Sequence, residues 1–273
     1  MPMKKIFFTD LDGTLLNSKK EITCENRKAI EKARNAGHSI VLATGRSTVN
    51  MLLQVRRLGL DTPGCYAITF NGSCVIRCDT GEVLRWETLS MDVVRYLMEE
   101  TRKWQIHAQA YSRTETIAEK QTPELTRYDR NNGGHSRLVA DIPSSLTQEP
   151  PKILLADLND REKLERFQRE HADALQGRAD SFFSCKEYLE YVPAGVNKGS
   201  AIRWLCRYLG ADLSQTVAAG DAANDLCMLQ TAAVGAAMCN GEEQVKACAD
   251  YVTERDNDHS GVAEIIEKFV LEQ

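Results

Sequence analysis

Along the first third of the chain, short apolar runs alternate with segments whose apolar residues recur every three or four positions. Residues 6–11 form such a run, ending in Asp10-Leu11-Asp12-Gly13. The spacing predicts a helix over 23–36, with Thr23 as N-cap, Asn26 three residues on, and Gly37 closing it. A buried strand is expected at 39–43 (SIVLA), a helix at 49–58, a third strand at 66–70 and a turn at Asn71-Gly72. Residues 74–76 can return as a hairpin partner. The last third repeats the style. Ala201, Ile202, Leu205, Cys206 and Leu209 make a helical stripe, followed by a strand at 216–219, a helix at 222–231 and a strand at 234–238. Val262, Ile265, Ile266, Phe269 and Val270 fall on one face of a terminal amphipathic helix.

Strands alternating with helices imply an α/β fold, a Rossmann-like and mostly parallel sheet covered on both faces. The middle of the chain reads differently. Two helix signals, 92–104 and 160–171, lie among short β-like pieces at 106–111, 116–118, 153–158, 182–184 and 188–192. Residues 128–149 are polar, contain Asn131-Asn132-Gly133-Gly134 and Pro143, and read as loop with at most one short strand. The expected organisation is a discontinuous core, 1–84 with 193–273, and an inserted α+β module at 85–192.

Composition narrows the function classes. The chain has 273 residues, 42% hydrophobic and 27% charged, which is ordinary for a globular protein and too apolar for a disordered one. The formal charge is −5, so no basic excess exists to hold a phosphate backbone, and nucleic acid is not an expected partner. The apolar run after Lys4-Lys5 is too short for a signal peptide, and no stretch reaches the length of a membrane span. Nine cysteines with no CxxC pair read as unpaired thiols of a cytoplasmic protein. Five scattered histidines form no HxH or HExxH, which argues against zinc.

Four clusters sit just after expected strands or at helix starts, where an open parallel sheet gathers its ligands. In Asp10-Leu11-Asp12-Gly13-Thr14, two carboxylates leave an extended strand on one side. One can act as nucleophile while the other handles a proton, although the same residues could form a simple capped turn. Thr44-Gly45-Arg46-Ser47 offers a hydroxyl and free N–H groups at a helix start, an anion site or merely a cap. Lys198 opens a helix whose dipole it opposes, which a nearby anion would explain; a solvated surface lysine is the alternative. In Gly220-Asp221-Ala222-Ala223-Asn224-Asp225, two acids lie one helical turn apart. Gathered beside Asp10 and Asp12 they would need a cation, and their hard oxygen ligands suit Mg²⁺. Standing alone, they would only charge a helix start.

In this order, DxDGT, TGR, Lys and GDxxND resemble the haloacid dehalogenase superfamily, in its phosphatase branch. The stretch Asp10 to Leu16, Thr44-Gly45-Arg46, Phe70-Asn71-Gly72 and Gly220 to Met228 is similar to its Cof-type group, subfamily IIB. Met238-Cys239-Asn240-Gly241 resembles the group's AMGNA segment but departs at Cys239 and Gly241, and Ala222 stands where many relatives carry serine or asparagine. The resemblance implies a cap at the insertion and a Mg²⁺-dependent phosphatase of small phosphomonoesters. Asp10 would become an aspartyl-phosphate, with Asp12 as acid and then base. Asp10, the Asp12 carbonyl and Asp221 would hold Mg²⁺, with Asp225 in support. Leu11 (through its backbone), Thr44, Gly45, Lys198 and Asn224 would bind phosphate.

The resemblance also makes a sugar phosphate the default among small phosphorylated metabolites. His107, Tyr111, Arg113, Tyr128, Arg130, Lys186 and Tyr188 are the candidate leaving-group contacts. No membrane partner is expected, and a monomer or a homodimer fits. A phosphomutase or phosphotransferase is the alternative within the class, and a phosphometabolite-binding protein without turnover the alternative outside it. A receiver-type signalling domain is disfavoured by length and motif order. A dinucleotide-dependent dehydrogenase is disfavoured because no GxGxxG follows the first strand.

Overall fold

The computed structural model describes residues 4–132, 134 and 136–271; Gly133 of the expected loop and His135 lie outside them. In chain order the strands are β1 (Ile6–Thr9), β2 (Ser39–Ala43), β3 (Cys65–Thr69), β4 (Cys74–Arg77), β5 (Val83–Trp86), β6 (His107–Tyr111), β7 (Thr116–Ala118), β8 (Arg137–Leu138), β9 (Ile153–Ala156), β10 (Ala179–Cys185), β11 (Tyr188–Pro193), β12 (Thr216–Gly220), β13 (Val234–Ala237) and β14 (Tyr251–Val252). The helices are α1 (Cys24–Asn35), α2 (Thr48–Leu58), α3 (Met91–Trp104), α4 (Pro123–Asn132), α5 (Ile142–Ser145), α6 (Arg161–Leu175), α7 (Lys198–Leu209), α8 (Leu226–Leu229), α9 (Glu243–Lys246) and α10 (Gly261–Ile265).

The chain divides into two compact units. The first comprises the described residues up to Gly45, Leu52–Arg85 and those from Asn197 on; the second comprises Arg46–Met51 and Trp86–Val196. The first is built on an eight-stranded sheet of order β14-β13-β12-β1-β2-β3-β4-β5. Its strands from β14 to β3 run parallel, and β4 turns back on β3. All four residues of β1 are buried, which is why its sequence is a run of large side chains and not an alternation. Ile6, Phe8, Val41, Ile68 and Val75 share one core with Ala201, Ile202 and Leu205 of α7, the stripe legible in the sequence. Both helices begin at true caps. The Thr23 hydroxyl accepts from the Asn26 N–H, and Asn197 and Ser200 form a reciprocal capping box ahead of Lys198.

The second unit is built on a six-stranded sheet, β10-β11-β9-β6-β7-β8. One face packs Ala108, Ala110, Ile153, Leu155, Leu189 and Tyr191 against Val94, Leu97 and Met98 of α3 and Leu164 and Phe167 of α6. The expected loop at 128–149 is corrected here, because α4, β8 and α5 occupy it. The Thr122 hydroxyl accepts from the Leu125 N–H at 3.2 Å, Pro123 opens the helix, and Leu125 and Tyr128 bury one face. Asn131 and Asn132 close that helix instead of filling a loop.

Two further expectations change. The helix expected at 222–231 is a 3₁₀ turn, Ala223–Asp225, followed by the single turn α8. The terminal helix passes from α10 into a π-helical segment, Ile266–Leu271. Among the described residues, no helix is long and apolar enough to cross a membrane.

Candidate active site

Parallel registry sets the site. Thr9 pairs with Leu42 on one side and Ala219 on the other, so β1, β2 and β12 end level with one another. Asp10 leaves β1 there, its N–H donating to the Ala219 carbonyl at 2.9 Å. Gly13 turns the chain at φ +87°, and a β-carbon in its place would run into the Asp221 carboxylate. That close approach lets the Thr14 hydroxyl donate to Asp221 Oδ1 at 2.6 Å across 207 positions.

Lys198 joins the ends of the chain. Its ammonium is fully buried and lies 2.6 Å from Oδ1 of Asp10 and 2.6 Å from Oδ1 of Asp225. Asp225 is fully buried too, and its other oxygen accepts the N–H groups of Asp221 at 3.1 Å and Ala222 at 3.2 Å. This bonding holds residues 221–225 in a tight turn and spends most of the acceptor capacity of Asp225. Carboxylate oxygens of Asp10, Asp221 and Asp225 lie within 4.8 Å of one another. Three ionised carboxylates against one ammonium leave two negative charges in a largely buried cluster.

The titration of the cluster reflects that imbalance. Burial pushes the Asp10 carboxyl well above its ordinary value; Lys198 opposes the shift, while Asp225, Asp221 and Asp12 add to it. Burial likewise pushes Asp221 up to about 6, against the Thr14 hydrogen bond and with repulsion from Asp225. For Lys198 burial disfavours the charge, yet Asp10 and Asp225 outweigh it and the ammonium is held protonated. An all-oxygen set with uncompensated negative charge fits a hard divalent cation.

The phosphate-binding candidates gather at the same sheet edge. Thr44 is buried, its N–H donating to the Ile68 carbonyl and its own carbonyl accepting from the Asn71 N–H at 3.0 Å. Gly45 lies against Asn71, where a β-carbon would come within 2.9 Å of the side-chain amide. Asn224 donates to Asn71 Oδ1 at 3.2 Å, which ties the 221–225 turn to the end of β3. Leu11 is buried, and its carbonyl accepts from the Leu16 N–H. The Asp12 carboxylate stands outside the three-acid group, 39% exposed and 2.8 Å from the Lys20 ammonium.

A family model described as haloacid dehalogenase-like hydrolase matches residues 7–266. The chain belongs to that family. This haloacid dehalogenase-like hydrolase is 32% identical over 283 residues to a Streptococcus pyogenes serotype M6 protein named as a candidate phosphatase, covering 98% of each chain. It is 30% identical over 245 residues to the HMP-PP phosphatase of an Enterobacter species, covering 90% of this chain and 88% of that protein. The crystal structure of a haloacid dehalogenase-like hydrolase from Bacteroides thetaiotaomicron superposes with a TM-score of 0.88 at 33% identity, over 97% of this chain and 99% of that one.

The structure also adds residues that the sequence left without a role. Asn71, buried at φ +55°, links Thr44, Gly45 and Asn224. Its signal was the Asn-Gly pair, read as a turn. Gly72 follows at φ +116° and touches the Asn197 carbonyl so closely that no β-carbon fits. The Asn240 amide donates to the Gly13 carbonyl at 2.8 Å and pins the turn after Asp10.

Proposed function

We propose that the protein is a Mg²⁺-dependent phosphatase that hydrolyses small phosphomonoesters through an aspartyl-phosphate on Asp10. The observation that carries this reading is the buried Lys198 ammonium bridging Asp10 and Asp225 beside Asp221. A carboxylate nucleophile must approach an anionic ester, and the Lys198 charge together with a cation held by the acids would offset the repulsion.

An Asp10 oxygen attacks phosphorus, and the bond to the leaving oxygen breaks as Asp12 supplies its proton. Asp12 then takes a proton from water, whose oxygen displaces the Asp10 carboxylate and releases inorganic phosphate. Its half-exposed position suits a group that exchanges protons with solvent. The Thr44 hydroxyl, the N–H groups of Leu11 and Gly45, Asn224 and Lys198 hold the phosphoryl oxygens. Asp10, the Asp12 carbonyl and Asp221 would hold the cation, with Asp225 fixing Lys198 and the turn. When bound, Mg²⁺ supplies charge neutralisation for the transferring group.

The family match and the phosphatase names of the relatives support this reading. The partner is a small phosphorylated metabolite, and the inserted unit is the source of selectivity. The test is inorganic-phosphate release from p-nitrophenyl phosphate with Mg²⁺ and with chelator. Release that needs the metal and disappears in Asp10→Asn is expected. Isomerisation of a sugar phosphate without net release would replace the reading with a mutase, and binding without turnover would replace it with a sensor.

A further inference from the structure

Between β1 and α1, residues 13–22 fold into a small closed loop inside the first unit. Leu16 bridges to Asp12 on one side and to Ile22 on the other. The Asn17 N–H donates to the Glu21 carbonyl at 2.9 Å, and the Lys20 N–H donates to the Asn17 carbonyl at 2.9 Å. Asn17 Oδ1 accepts from the N–H groups of Lys19 and Glu21. Two residues from the other end of the chain brace this loop. The Asn257 amide donates to the Leu16 carbonyl at 2.9 Å, and Asp258 accepts from the Ser18 N–H at 2.7 Å. The Asn257 N–H in turn donates to Oδ1 of Asn240, whose own amide pins the Gly13 carbonyl. Together these bonds fix where the side chains of the loop begin.

Lys20 is the unexpected residue in that frame. Its backbone is left-handed, φ +62°, a conformation that suits glycine or asparagine far better than lysine. A turn built for its own sake would carry one of those residues there. The lysine instead reaches back eight positions, and its ammonium donates to Oδ1 of Asp12 at 2.8 Å. Lys20 is 62% exposed and Asp12 39%, so the pair adds little to stability. Strain kept for so weak a contact implies a role beyond stability.

The contact does constrain Asp12. An ammonium offers three donors and no acceptor, so Oδ1 stays free of a proton while the pair holds. The same bond resists rotation of the carboxyl group about its terminal torsion, which is otherwise broad and soft.

We propose that Lys20 is a positioning residue for Asp12, holding its carboxyl group in one orientation for the proton transfer to the leaving oxygen. The inference rests on the phosphatase reading and goes beyond it by giving a role to a residue outside the four motif clusters. Lys20 acts only through Asp12, and its effect is on the scale of one exposed ion pair, about threefold to fivefold in rate. The effect falls on the departure of the leaving group. An ester whose alcohol leaves poorly without a proton depends on Asp12 more than one whose anion is stable.

The experiment compares phenyl phosphate with p-nitrophenyl phosphate, both with Mg²⁺. The two esters share a shape near phosphorus, but nitrophenolate leaves readily without a proton and phenolate does not. Lys20→Gly and Lys20→Asn both suit the left-handed backbone, so their Tm should not fall. Each should lower kcat/KM for phenyl phosphate by about threefold to fivefold and for p-nitrophenyl phosphate by about twofold at most. Lys20→Arg should recover most of the loss. In an Asp12→Ala background, Lys20→Gly should have no further effect, since the group it acts through is gone. An equal loss on both esters, an unchanged kcat/KM for phenyl phosphate, or the same loss in the Asp12→Ala background overturns the inference and leaves the phosphatase reading standing. If the wild type hydrolyses neither ester, both fall.

Discussion

The ammonium of Lys198 lies 2.6 Å from the carboxylate of Asp10, a contact that closes 188 positions of sequence inside the protein. The same ammonium meets Asp225, in a contact buried more deeply still, so Lys198 stands between the nucleophile candidate and the turn that carries Asp221 and Asp225.

Lys198→Met removes the ammonium and leaves Asp10 and Asp225 facing each other. Breaking a buried pair from one side costs about 3–5 kcal/mol when the other charge remains, and protonation of the acids relieves part of it. The variant should therefore melt well below wild type at pH 8, with a smaller gap at pH 5. Turnover should fall by about 10²–10³-fold, the scale of one lost charge-stabilising donor. Paired melting curves at the two pH values check the first statement; an equal deficit at both would mean the acids are not what the lysine balances.

The raised titration of Asp221, up to about 6 from an ordinary 3.8, has a stability consequence in the metal-free protein. Between those values the folded chain binds the proton and the unfolded chain releases it. The associated stability is present below about pH 4 and is lost as pH rises through about 6; Asp10 shifts the same way. Asp221→Asn should thus raise the metal-free Tm at pH 7.5, by roughly 2–6 °C on the usual scale for a chain of this size, and should blunt the further rise that Mg²⁺ gives wild type. Thermal melts of both proteins with and without Mg²⁺ decide it. A metal-free variant less stable than wild type would show that the acids are not mutually repelling.

Gly13→Ala puts a β-carbon against the Asp221 carboxylate in a backbone conformation, φ +87°, that disfavours any side chain. The strain is worth about 1–3 kcal/mol, and its relief must displace Asp221. Mg²⁺-dependent turnover should drop by about tenfold or more, with a higher Mg²⁺ requirement, while the fold survives. Titration of activity against Mg²⁺ measures the shift; wild-type activation would contradict the close approach.

Asp12→Ala should slow turnover by about 10²–10⁴-fold, the range for a lost general acid and base, without weakening substrate binding in proportion. Steady-state kinetics separate kcat from KM. Retention of wild-type kcat would remove Asp12 from the reaction.

Much of this site was legible because each motif is short and ends a buried strand or opens a helix. Asp10 and Asp221 follow the ends of parallel neighbouring strands, so their meeting follows once both apolar runs are placed in one sheet. Asn71 was legible as a turn and as part of the family resemblance but not as a link, because its bond to Asn224 spans 153 positions and nothing local announces it. Acids at i and i+4 look like a charged first turn, so the sequence predicts a helix over 222–231 in place of the tight 221–225 turn. In the structure, Asp225 folds back onto the N–H groups of Asp221 and Ala222 instead. In the inserted unit, α4 was missed since its polar face and terminal Asn residues outweigh its two buried positions, Leu125 and Tyr128.

The central claim is that Asp10 takes up the phosphoryl group. Acid quenching during steady turnover, followed by peptide mass spectrometry, tests it most directly. The account predicts one added phosphoryl mass on the peptide that contains Asp10, dependent on substrate and absent in Asp10→Asn. An unlabelled Asp10 peptide in the active protein, or continued turnover by Asp10→Asn, would contradict it.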